Sequence, residues 1–90
     1  MHITMVKKEL RDGRPCRKCE QAMDQLMGRG LWELVDEVVI AKEGDPSSPG
    51  VALATAHGID VAPFFVVRDD AGEQVYTSVM QLIKDRLSAA

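Results

Sequence analysis

The chain has little of several things that would settle its function at once. Aromatic residues make up only 4% of its 90 positions, and there are only two cysteines and two histidines. No apolar run approaches the length needed to span a bilayer. The opening MHITMVKKEL has its charges after its few apolar residues, so it does not resemble a secretory signal. These absences lead to the expectation of a cytoplasmic protein with no membrane partner. No aromatic residue is interleaved with the cations and no nucleic-acid motif occurs, which argues against a nucleic-acid partner. The sequence contains no internal repeat, linker or low-complexity tract. With 46% hydrophobic and 28% charged residues, the composition is that of an ordinary globular protein. Residues 1–90 are long enough to bury one core and are read as a single domain.

The net charge of −3 conceals an asymmetry. Residues 1–18 carry Lys7, Lys8, Arg11, Arg14, Arg17 and Lys18 against Glu9 and Asp12, whereas acidic side chains dominate the remainder. A solvated charged face explains this pattern. So does a positive field around a reactive group, because both cysteines lie in the basic part.

The elements are short and alternate in type. HITMV (2–6) reads as a strand, and RDGRP as a loop. From Cys16, the positions Cys19, Ala22, Met23, Leu26 and Met27 recur at helical spacing until Gly28 and Gly30. LVDEVVIAK (34–42) is rich in β-branched residues and reads as a strand, and EGDPSSPG as a turn-forming loop. A short helix follows, with Ser48 as N-cap, Pro49 at the first helical position and Gly58 at the end. Phe64 to Val67 has the continuous apolar character of a central strand, RDDAGE its turn, and QVYT a shorter edge partner. Ser78 and Gln81 form a capping box for a last helix whose Val79, Leu82, Ile83 and Leu87 share a face. The order β-α-β-α-β-β-α implies an α/β fold, with a four-stranded mixed sheet flanked by three helices. Trp32 is expected at a helix-to-strand corner, His57 at a helix end near the terminal carbonyls, and Met5, Met23, Met27 and Met80 in or against the core.

RPCRKC places Cys16 and Cys19 one helical turn apart, and four readings apply: a structural disulfide, a zinc pair, a catalytic dithiol, or two buried thiols. A disulfide this local closes too small a loop to stabilise much. Zinc needs about four ligands, and His2 and His57 stand at no recognisable finger spacing, so no metal is expected. The dithiol and buried-thiol readings remain.

The order of elements, the CxxC opening the first helix and the proline in GIDVAPFFVV (58–67) together resemble the thioredoxin-like superfamily, over almost the whole chain. The resemblance implies that Pro63 is a cis-proline facing the dithiol and that the backbone of Ala62 meets the substrate. The chain departs from the thioredoxin pattern in having Pro15 before the first cysteine and Arg17-Lys18 between the pair. It departs from the glutaredoxin pattern in having Val61-Ala62 before the proline and YTSVM in place of a glycine-rich acidic segment.

Chemistry supplies the roles. A thiolate attacks disulfides, and a helix N-terminus favours an anion, so Cys16 is the expected nucleophile, its pKa lowered below about 8.5 with the help of Arg17 and Lys18. Cys19 is then the resolving thiol. The expected function is that of a monomeric thiol–disulfide oxidoreductase needing no cofactor. Its partners would be a disulfide-containing protein or small molecule as substrate and a reductase or glutathione as electron donor. The alternative is a non-catalytic interaction module whose cysteines act as a redox switch or, less in keeping with the sequence, as metal ligands.

Overall fold

Lys7, Lys8 and Glu9 belong to the first strand despite their charge, because a neighbouring strand pairs with them. The structure is a computed structural model and describes residues 1–87; residues 88–90 of the single domain expected over 1–90 lie outside that range. The strand β1 (His2–Glu9) pairs in parallel with β2 (Glu37–Lys42), in the register Lys8↔Ala41 and Glu9↔Lys42. On its other side β1 pairs antiparallel with β3 (Phe64–Asp69), which pairs antiparallel with β4 (Gly72–Tyr76). The sheet is therefore mixed, with the order β2-β1-β3-β4. Helices α1 (Arg17–Gly28), α2 (Pro49–His57) and α3 (Val79–Leu82) complete an α/β architecture, with α3 widening into a π-helical segment over Ile83–Leu87.

Alternation along the strands divides the core. Ile3, Met5, Phe65 and Val67 face Cys19, Ala22 and Leu26 of α1 and Leu82, Ile83 and Leu87 of the C-terminal helix. Val6, Phe64 and Val66 form the opposite core with Leu53 and Ala54 of α2. Phe64 and Phe65 are both fully buried, one on each face, which explains the unbroken apolar run of β3.

Both longer helices stop by the same device. Gly30 and Gly58 adopt positive φ. Beyond them, the N–H groups of Leu31 and Ile59 donate to the carbonyls of Leu26 and Ala54 at 2.8 and 2.9 Å, and Gly30 and Gly58 donate to Met27 and Thr55, closing a Schellman motif at each end. The start of α2 instead depends on close approach. A Cβ at Gly50 would lie 2.3 Å from the backbone nitrogen of Ala41, so only glycine lets this helix rest directly on β2.

Several sequence expectations need correction. The second strand begins at Glu37, not at residue 34, because Trp32–Leu34 form a short 3₁₀ turn and the Asp36 carboxylate accepts the Ile3 N–H at 2.7 Å. Only Asp70 and Ala71 separate β3 from β4, since Arg68 and Glu73 are paired across the hairpin. Ser48 precedes α2 as expected, but its hydroxyl does not cap the helix: it accepts the Lys42 N–H and donates to the Asp45 carbonyl, each at 3.0 Å. Ser78 does cap α3, accepting the Gln81 N–H at 3.2 Å, whereas the Gln81 side chain turns to Asp85, leaving the box half formed. Met27 and Met80 are about half exposed, outside the core. Trp32 packs against the α1 side of the core, at the corner expected. His57 lies at the end of α2, but its Nε2 approaches Glu73 at 3.3 Å.

Candidate functional site

Between β1 and α1 the chain makes a tight excursion that determines where the first cysteine stands. Glu9 bridges to Pro15, Leu10 N–H donates to the Arg14 carbonyl at 2.9 Å, and Gly13 N–H donates back to Leu10 at the same distance. The return is completed when Cys16 N–H donates to the Lys8 carbonyl at 3.2 Å. Cys16 thus occupies the N-cap of α1, in extended geometry, and its carbonyl accepts the first helical bond from Glu20.

Cys19, one turn further, points inward and is 1% exposed, whereas Cys16 is partly exposed. Both are free thiols. The Lys8 N–H donates to Cys19 Sγ at 3.3 Å. One strand residue therefore holds both members of the pair through its main chain.

The two sulfurs differ in acidity. Burial opposes ionisation of Cys16, but the Cys19 N–H, the Cys19 thiol, the Lys18 N–H and the charge of Lys8 together outweigh it and hold Cys16 below the ordinary thiol range. These main-chain groups are the unpaired donors of a helix start. Burial pushes the Cys19 thiol up to about 11, and its hydrogen bond to Cys16 and the charge there add to the rise. The partly exposed sulfur is thus the readily ionised one, and the buried sulfur retains its proton.

Arg17 and Lys18 are exposed on the first turn. Lys18 contributes through its backbone, and the cation whose charge lowers the Cys16 value is Lys8. Lys8 carries no motif and is found only once the strand register is known. Its ammonium lies 3.1 Å from Glu43, just beyond the end of β2.

The segment preceding β3 reaches the same end of the sheet, since Val6 of β1 pairs with Phe64. The Ala62–Pro63 peptide bond is cis. Ala62 packs against the same core cluster as Cys16. It also borders a cleft of about 220 Å³ shared with Lys8, Glu43, Val6, Ile59 and Phe64. The dithiol, the Lys8–Glu43 pair and Ala62 therefore gather where the parallel strands end, the usual place for a site in α/β sheets.

Among the described residues no helix is long and apolar enough to cross a membrane, and no group of three or more His, Cys, Asp and Glu is placed to hold a metal ion. No protein-family profile, no curated protein and no solved structure matches this chain.

Proposed function

We propose that this chain is a thioredoxin-like thiol–disulfide oxidoreductase that reduces disulfides through Cys16 and Cys19. The observation that carries the proposal is the unequal pair: a partly exposed N-cap thiol of lowered pKa, with a buried thiol of raised pKa one turn behind. The Cys16 thiolate attacks one sulfur of a substrate disulfide, forming a mixed disulfide and releasing the other sulfur as a thiolate, which takes a proton from solvent. Cys19 then loses its proton and attacks the Cys16 sulfur. The second substrate thiolate leaves, and the Cys16–Cys19 disulfide remains.

The substrate gains two electrons and the protein loses two. A dithiol reductase or two glutathione molecules restore the dithiol. Attack by the Cys16 thiolate on the substrate removes the negative charge beside Cys19, so one cause of the elevated Cys19 pKa disappears once the mixed disulfide has formed. In this reading a substrate chain lies against Ala62 and Pro63, and the cleft that Ala62 borders receives its flank. A protein of this kind works in a reducing compartment, the cytoplasm being the simplest assignment.

Turnover tests the proposal. With an external reductant in excess, the protein should reduce a model disulfide such as insulin over many cycles. A single stoichiometric reaction followed by arrest would favour a non-catalytic redox switch instead.

A further inference from the structure

We propose that Glu43, outside the dithiol motif, is a positioning residue that holds Lys8 and the loop carrying Cys16, and so meters the positive charge reaching the attacking thiol. This rests on the reading of Cys16 as the nucleophile.

Contacts from three residues converge on Glu43. Its Oε2 lies 3.1 Å from Lys8 Nζ. Its Oε1 accepts the Arg11 N–H at 3.4 Å, and the Arg11 guanidinium stands at 3.9 Å. Its own N–H donates to the Glu9 carbonyl at 2.8 Å, fixing this residue against the end of β1. The carboxyl is held below the usual range by the hydrogen bonds from Lys8 and Arg11, so it is ionised wherever the thiol titrates.

Lys8 connects Glu43 to the dithiol. Its main chain bonds Cys16 and Cys19, and its side chain bonds Glu43. The ammonium has two competing anions within reach of its field: the permanent carboxylate of Glu43 and the thiolate of Cys16. While Glu43 is ionised, part of the Lys8 charge is neutralised before it acts on Cys16. The other charged groups around this corner are Lys7 and Glu9 on β1, Arg11, Asp12 and Arg14 in the loop, Arg17, Lys18 and Glu20 on α1, Lys42 on β2 and Asp60 across the cleft. Of the loop charges, Asp12 and Arg14 pair with each other.

The test titrates thiolate ultraviolet absorbance in the reduced full chain for Glu43→Gln, Lys8→Gln, Lys8→Arg and the double variant Lys8→Gln/Glu43→Gln. Glutamine can still accept the Arg11 N–H, so the loop is retained while the competing charge is removed. Glu43→Gln should lower the Cys16 midpoint by about 0.3 to 0.5 unit, as expected of partly screened charges. Lys8→Gln should raise it by a similar amount, and Lys8→Arg should restore it. In the Lys8→Gln background, Glu43→Gln should have less than half its effect. An unchanged or raised midpoint in Glu43→Gln, or an equal drop with and without Lys8, overturns the proposal. Ionisation is read without turnover, so these shifts in a protein that fails to turn over a disulfide would overturn the reductase reading alone.

Discussion

The main-chain N–H of Lys8 donates to the sulfur of Cys19 at 3.3 Å, so the buried thiol is anchored to the central strand, not merely enclosed by apolar neighbours. The Lys8 carbonyl in turn accepts the Cys16 N–H, so these two bonds fix the positions of both sulfurs, while burial of Cys19 sets most of their difference in acidity. One sulfur is presented at a helix start and the other is locked beneath it.

Alkylation with iodoacetamide, mapped by mass spectrometry under single-modification conditions, should therefore separate the cysteines by pH. The Cys16 rate should rise with an inflection below the free-thiol value of about 8.5, whereas Cys19 should rise only near pH 11. Stability follows with opposite signs. The contribution of Cys16, whose folded pKa is lowered, is present above the unfolded thiol range and is lost as pH falls through the lowered value. That of Cys19, whose folded pKa is raised, is present below the unfolded range and is lost as pH rises through about 11.

Gly50→Ala should destabilise the fold without altering the thiols. Its Cβ would meet the Ala41 nitrogen at 2.3 Å and the Ile40 carbonyl carbon at 2.4 Å, backbone atoms that cannot turn aside as a side chain can. The helix α2 must lift from β2, at a cost of about 1 to 3 kcal/mol. Denaturant unfolding measures the loss, and an unchanged Cys16 titration shows that α1 is undisturbed.

Ser48→Ala should also destabilise, though not by uncapping a helix. It leaves the Lys42 N–H without its acceptor at a position that is 8% exposed, while the Asp45 carbonyl keeps the Ser48 N–H at 3.1 Å, and the expected loss is about 1 to 3 kcal/mol. Ser48→Thr, which keeps the hydroxyl, should recover part of it. Equal losses in both variants would show that packing, not hydrogen bonding, decides the effect.

The sequence made the order of elements legible because its local signals agree. Gly30 and Gly58 mark helix ends, Pro49 marks a helix start, and the short apolar run Phe64–Val67 has the character expected of a central strand, which is buried on both faces. It misled where one residue type serves two purposes. Ser48 has an N-cap's position but spends its hydroxyl on the preceding loop, and Met27 and Met80 fit the apolar spacing of their helices yet face outward. Cys16 and Cys19 could be read from spacing, whereas Lys8 and Glu43 could not. Their contact depends on the parallel register of β1 and β2, a non-local pairing that neither segment encodes alone.

The most direct test of the account is substrate trapping by single-cysteine variants. Reduced Cys19→Ser, challenged with a disulfide substrate and quenched with acid, should retain one substrate half on Cys16 as a stable mixed disulfide visible by mass, because no resolving thiol remains. Cys16→Ser should carry far less adduct in the same interval, since Cys19 is buried and holds its proton up to about pH 11. The reverse pattern, with the adduct on Cys19 and none on Cys16, would contradict the assignment of the attacking thiol and with it the proposed function.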